Sequence, residues 1–396
     1  MFYFLIYLIV FLIPLSLVRF KFFWLPFNII EVLIYILFLI WILKELFYFK
    51  GKKIRDKIKK TDKAWFFSVF LIITGVTLTS LLSLKLQLST GIWKEWFVAP
   101  LIFFLVLIDS VSNKRQIFKI LTVLFFSGIL VAIISLFYYF SKELTYDGRL
   151  ASFYLSPNYL VMYLSPILII SLYLYFLVKN NIYKILLIIG YLLIFFVIFL
   201  TYSQGALLGL VVAFIITLFW KSKIFKNKKR LLIFLFLVLI IFSVLYCFIK
   251  IDDLGSVYSS RSSLSSRLMI WRTIWEIIKD QPLGIGPGTF QDYYLSYQKK
   301  FKTPYLEWAV PQPHNLFIAF YLQLGFLGFL GFIWLLVLFF KRIVNYQSLL
   351  SVFLFAFGVY FLTHGLVDTL YWKADLALLF WLIIVLSHKV NYLSDQ

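Results

Sequence analysis

IFKILTVLFFSGILVAIISLFYYF, residues 117–140, decides the fold. The stretch carries one charge, Lys119, and its apolar side chains run on without alternating. A helix needs about 20 apolar residues to cross a hydrocarbon core, whereas a barrel strand of about ten alternates apolar with polar. The stretch therefore reads as a transmembrane helix. Outward from it, eleven further runs of the same kind lie at roughly 3–18, 28–47, 64–84, 96–111, 158–178, 185–202, 205–220, 231–249, 315–340, 348–365 and 374–388. The chain as a whole is 63% hydrophobic and 14% charged, with a mean hydropathy of +0.96. A soluble globular domain carries roughly 25% charged residues, so that class is excluded. The expectation is an all-α integral membrane protein, one polytopic domain over 1–396 with about twelve transmembrane helices. The first run lacks a basic leading segment and a small-residue cleavage site, and reads as a retained span. The single cysteine, Cys247, lies in an apolar run, which rules out an internal disulfide or a cysteine metal cluster.

The net charge of +21 would suggest nucleic acid in a soluble protein, but here its distribution describes topology. Basic residues crowd into alternate short loops: 50–63, 114–119, 179–184, 221–230, 341–342 and Lys389 hold 22 of them. The opposite side holds 15, of which eight belong to a single segment, 250–313. Cytoplasmic loops carry the excess of Lys and Arg, so the dense side and both termini are expected in the cytoplasm. The charge then reflects orientation and contact with anionic membrane lipid, and no nucleic-acid partner is expected.

Residues 250–313 form a polar island, expected as one extracytoplasmic loop between transmembrane helices 9 and 10. It contains Arg261, Arg267 and Arg272, then Pro282-Leu-Gly-Ile-Gly-Pro-Gly288, and it runs into His314-Asn315. Within it a helix is expected from a Ser265 cap through Lys279, with Leu268, Trp271, Ile274, Trp275 and Ile278 at three- and four-residue steps. Such a face suits the membrane surface. Arg267 and Arg272 lie about 140° apart around that helix, on different faces. The glycine run gives a turn whose backbone can approach another group closely. It lacks the strand before it and the Lys-Ser/Thr after it that a nucleotide loop needs. Three more segments fall on the same side: 141–157, 201–206 and 364–375.

Arginines facing outward suit an anionic ligand, because a planar guanidinium grips phosphate or carboxylate in a fork. The plain alternatives are lipid headgroups or the loop's own Asp252, Asp253, Glu276 and Asp280. His314 stands between water and apolar surroundings, where a histidine works as a base near neutral pH. A lone interfacial histidine is more often structural, and His364 and His388 share that default. Glu31, Glu45 and Asp109 within or near spans could suggest a proton relay. Both glutamates can instead reach the interface by snorkelling, which is the expectation here.

Four stretches together resemble the O-antigen ligase and O-antigen polymerase (Wzy-type) superfamily. They are Gly148-Arg149 with Ser156-Pro-Asn158-Tyr-Leu160; Thr201-Tyr-Ser203-Gln204-Gly-Ala-Leu-Leu-Gly209; Ser266-Arg267-Leu-Met-Ile-Trp271 with Asp280-Gln-Pro-Leu-Gly284-Ile-Gly286-Pro-Gly-Thr-Phe290; and His314-Asn315-Leu-Phe with Leu324-Gly325-Phe-Leu-Gly328. A tail, His364-Gly-Leu-Val-Asp368 with Trp372-Lys373 and Asp375, has the same look. The resemblance spans about residues 90 to 390.

It implies a GT-C-like, metal-independent glycosyltransferase without cofactor, working on the extracytoplasmic face of the cytoplasmic (inner) membrane. Such enzymes move a glycan from an undecaprenyl-diphosphate-linked donor to an acceptor hydroxyl. The acceptor is a lipid-A core sugar in the ligases of lipopolysaccharide biosynthesis and another lipid-linked repeat unit in the polymerases. Carried over, Arg267 would bind the donor diphosphate and His314 would activate the acceptor hydroxyl or stabilise the leaving group. Arg149, Asn158, Gln204, Arg261, Arg272 and Asn315 would help to bind substrate. Gln204 stands where the family usually has arginine, so one cation of the expected clamp is missing, with Arg149, Arg261 or Arg272 as candidate replacements. The residues leave ligase and polymerase evenly matched. Two other classes stay open: a transporter or flippase for the same lipid-linked glycan, which should show repeat symmetry and broken helices at the midplane, and a noncatalytic assembly partner, favoured by Gln204.

Overall fold

A computed structural model of the chain describes residues 1–22, 25–49, 63–220, 263–298, 310–346 and 348–390. The expected span 231–249, Cys247 and Arg261 lie outside the described residues. The rest is an all-α, multi-pass membrane bundle. Among the described residues, six helices are long and apolar enough to cross a bilayer: α3 (Lys63–Leu81), α4 (Leu86–Ser110), α5 (Lys114–Phe140), α6 (Pro157–Leu177), α7 (Asn181–Leu200) and α11 (Leu316–Asn345). Shorter apolar helices accompany them: α1 (Phe2–Phe11), α8 (Gln204–Trp220), α12 (Leu349–Gly365) and α13 (Ala374–His388). Helix α2 (Ile29–Phe49) is also membrane-length but includes Glu31, Lys44 and Glu45. The expected run 3–18 is an α-helix only to Phe11; Pro14 then turns the chain into a 3-10 helix, Ile13–Leu17.

Two helices form the centre. Nearly every side chain of α6 and α13 is buried. A helix that is apolar all round belongs inside a bundle, since it has no polar face to present. Helix α11 pairs closely with α3 because glycines remove the side chains between them. A Cβ on Gly75 would strike the Gly328 backbone, and one on Gly331 would lie 2.7 Å from the Ser68 carbonyl oxygen. Small residues at crossings are how helices gain van der Waals contact where lipid offers no hydrophobic drive.

An element not expected from the sequence sits between α1 and α2: an antiparallel hairpin, β1 (Arg19–Phe22) with β2 (Leu25–Asn28). It is fastened to α4. Arg19 pairs with Glu95 at 3.0 Å, and the Asn28 amide donates to the same carboxylate at 2.9 Å. The neighbouring Lys94 ammonium pairs with Glu31 at 2.8 Å and lies 3.7 Å from the Phe27 ring centroid. Glu31 therefore does not snorkel to an interface; it is buried in an ion network, with Tyr35 donating to it at 2.7 Å. A carboxylate removed from water needs such partners, and here it has a cation and a hydroxyl.

Candidate functional site

One end of the bundle gathers the polar connections: 141–156 before α6, 201–203 before α8, 311–315 before α11 and 366–373 before α13. Helix α9 (Ser263–Asp280) and the short α10 (Phe290–Gln298) pack beside them. Ser265, expected as the cap, is therefore already inside α9.

The connections are tied by a chain of hydrogen bonds. The Arg149 Nε donates to the Thr201 carbonyl at 2.7 Å, and its Nη2 donates to Asn158 Oδ1 at 2.9 Å. Asn158 Nδ2 donates to Asp368 Oδ2 at 2.8 Å. His314 Nδ1 lies 3.3 Å from Asp368 Oδ1, which also accepts from the Thr369 N–H at 2.9 Å. The polarity of this chain is fixed at one end. Arginine can only donate, so Asn158 must turn its oxygen to Arg149 and its NH2 to Asp368. An ionised Asp368 only accepts, so His314 presents Nδ1–H to it, and in the neutral ring the lone pair is then on Nε2.

Burial by itself would raise the Asp368 carboxyl. The hydrogen bond and charge of His314, with His364 and Arg267 nearby, outweigh that effect and hold it below the usual carboxylate range. Burial lowers Arg149 from the ordinary guanidinium value; Asp147 and Asp368 oppose the shift, and Arg267 adds to it. Two guanidinium groups therefore lie close enough to sense each other.

Arg267 enters from α9, where its Nε donates to the Val367 carbonyl at 2.9 Å. Gln204 opens α8 beside the same segment: a Cβ on Gly205 would meet Val367 Cγ2 at 2.8 Å and His364 Cδ2 at 3.4 Å. Asn315 caps α11 by accepting from the Ile318 N–H at 3.0 Å, and its NH2 donates to the Leu366 carbonyl at 2.9 Å. The structure thus brings together Arg149, Asn158, Gln204, Arg267, His314 and Asn315. Asn158 and Asn315 are committed to contacts within the fold, so they shape the site more than they line it.

Arg272 is not brought to this cluster. It is exposed on a stripe with Leu268, Trp275 and Lys279, residues spaced by four, three and four along α9. The buried stripe of α9 is Ile270, Ile274 and Ile277, packed with Ile285, Phe290, Tyr294 and Leu322. The expected face mixed the two: Ile274 is buried, whereas Leu268 and Trp275 are exposed. With apolar residues on opposite faces, three- and four-residue steps alone do not choose the inward one.

The residue that sequence reasoning left without a role is Asp368. It is almost fully buried and joins His314 to Asn158. Its signal was an acidic residue in a short connection between two apolar runs. Lys373 is a second such residue; its ammonium lies 4.1 Å from the Tyr159 ring centroid. Among the described residues there is no group of three or more His, Cys, Asp or Glu side chains that could hold a metal ion.

The backbone at the site is strained. His314 has φ of 49°, in the left-handed region that costs a non-glycine residue about 1–3 kcal/mol. Such conformations persist only where the surroundings hold them. Residues 189–333, from α7 through most of α11, match the protein-family model described as O-antigen ligase. No curated protein matches the chain.

Proposed function

We propose that this chain, a member of the O-antigen ligase and polymerase superfamily, transfers a glycan from an undecaprenyl-diphosphate-linked donor to an acceptor hydroxyl on the extracytoplasmic face of the inner membrane. The observation that carries the reading is the His314–Asp368 pair, 3.3 Å apart, at the end of the bundle that also receives Arg267 and Arg149.

The acceptor oxygen attacks the anomeric carbon, whose bond to the diphosphate oxygen breaks, and the acceptor proton passes to His314 Nε2. Asp368 holds the ring in the tautomer that leaves Nε2 available and stabilises the cation that forms. Undecaprenyl diphosphate departs with the bonding pair. Diphosphate is already a good leaving group, so the remaining task is to neutralise its growing charge, which Arg267 does. The arginine absent at position 204 is replaced in effect by Arg149, whose guanidinium rests on the carbonyl of Thr201 in the same turn. Gln204 contributes a neutral hydrogen-bond donor there. The positive-inside pattern supports the orientation, with both termini in the cytoplasm.

A deletion strain examined on a surface-glycan gel tests this reading. Single-repeat products mean a lost polymerase, and full-length chains left on the carrier mean a lost ligase. Wild-type protein should restore the pattern, and equally expressed Arg267→Ala or His314→Ala should not. Unchanged glycan on deletion, or full restoration by both variants, overturns the reading.

A further inference from the structure

Helix α11 is interrupted at Gly325, whose φ of 68° and ψ of −176° are not helical. The turn Pro282–Gly288 fills the interruption. The Ile285 N–H donates to the Leu322 carbonyl at 2.6 Å, and the Thr79 hydroxyl of α3 donates to the Gln323 carbonyl at 2.7 Å. Carbonyls at a break in a membrane helix must find donors inside the protein, and these two have done so. Gln323 itself is fully buried. Its Oε1 accepts from the Gly288 N–H at 3.2 Å, and its Nε2 donates to Gln312 Oε1 at 3.0 Å.

Gln312 is also buried and lies two residues before His314, between Pro311 and Pro313. Proline fixes φ, so the bent segment Pro311-Gln-Pro313 has few conformations open to it. The segment is pinned at Gln312 by Gln323, at the Pro313 carbonyl by Trp271 Nε1 (3.2 Å), and just beyond His314 by the Asn315 cap. Pins on both sides of His314 are what a left-handed non-glycine residue requires.

We propose that Gln312 and Gln323 are positioning residues for His314: their buried amide pair, closed by the Gly288 N–H, sets the position and backbone of the histidine relative to Asp368. The proposal rests on the glycosyl-transfer reading. Both amides are buried and spend their hydrogen bonds on each other and on the Gly288 N–H, so the role is one of positioning. A misplacement of the order of 1 Å away from the chemistry can lower turnover about a hundredfold.

The test uses full-length protein in nanodiscs, with the lipid-linked glycan extracted from membranes of the deletion strain as donor. Gln312→Leu and Gln323→Leu should each lower kcat by about 10–100-fold, with KM for the donor extract within twofold and the folded fraction unchanged. Gln323→Glu should stay within threefold of wild type, because burial keeps the carboxyl protonated, and it can still accept from the Gly288 N–H and donate to Gln312 Oε1. Wild-type kcat in both leucine variants overturns the assignment, as does a loss of activity that only tracks the loss of folded protein or a failure of Gln323→Glu to rescue. His314→Ala, run alongside, separates the two levels. If it is inactive while the leucine variants are fully active, only the positioning role fails; if it is active, the catalytic reading fails.

Discussion

His314→Ala is expected to lower glycan transfer by about 10²–10⁴-fold, the usual worth of a positioned general base. Asp368→Asn should cost nearly as much, and the double variant no more than the worse single one. The reason lies in the polarity of the chain from Arg149 through Asn158 to Asp368 and His314. Replacing the carboxylate by an amide puts an NH2 either against the NH2 of Asn158 or against His314 Nδ1. The first is a clash of donors that Asn158 cannot relieve, because turning it would present its NH2 to Arg149. The second makes Nδ1 the acceptor and moves the proton to Nε2, which removes the base. Initial rates on lipid-linked donor measure this; additive losses in the double variant would separate the two residues. Because its folded carboxyl lies below the usual range, Asp368 contributes stability that is fully present above the ordinary value of about 3.9 and is lost as pH falls through the lowered one. Acid melting of wild type and Asp368→Asn should therefore converge only in that low window.

Gly325→Ala is expected to prevent accumulation of folded protein. Its φ of 68° with ψ of −176° is essentially a glycine-only conformation. A Cβ there would lie 2.5 Å from the Leu283 carbonyl oxygen and 3.2 Å from Thr79 Cγ2. Strain of about 1–3 kcal/mol adds to overpacking of about 1–3 kcal/mol. A regular helix through this position would relieve the strain but would expel the turn 282–288, whose N–H groups bond the Leu322 carbonyl and the Gln323 side chain. Size-exclusion yield and thermal melting in detergent measure the loss. A variant that melts like wild type would show that α11 does not need its break.

Most of the membrane bundle is legible in the sequence because apolar runs such as 117–140 have no alternative to spanning. Three features were not. The hairpin at Arg19–Asn28 has strands of four residues, too short to show a period, and its fastening to Glu95 is distant in the chain. The inward stripe of α9 was hidden by a second apolar stripe on its outer face. The glycine turn was legible as a close approach, but what it approaches, the break in α11, appears only when α3 and α11 are packed. Within the site, charge and rare residue types flagged Arg267 and His314. Asp368 was seen only as part of a motif, because its partner His314 comes from a different connection, distant in the chain. Gln312 and Gln323 are neutral amides, and residue type alone assigned them no role, although Gln323 stands at the head of the motif stretch around Gly325.

Binding of undecaprenyl diphosphate to protein in nanodiscs, followed by native mass spectrometry or thermophoresis, separates the roles of the two residues. The proposed division of roles gives carrier recognition to Arg267 and proton transfer to His314. It predicts that His314→Ala binds the carrier as tightly as wild type while failing to turn over, and that Arg267→Ala binds at least tenfold more weakly, about 1.4 kcal/mol or more. Wild-type affinity in Arg267→Ala would contradict it.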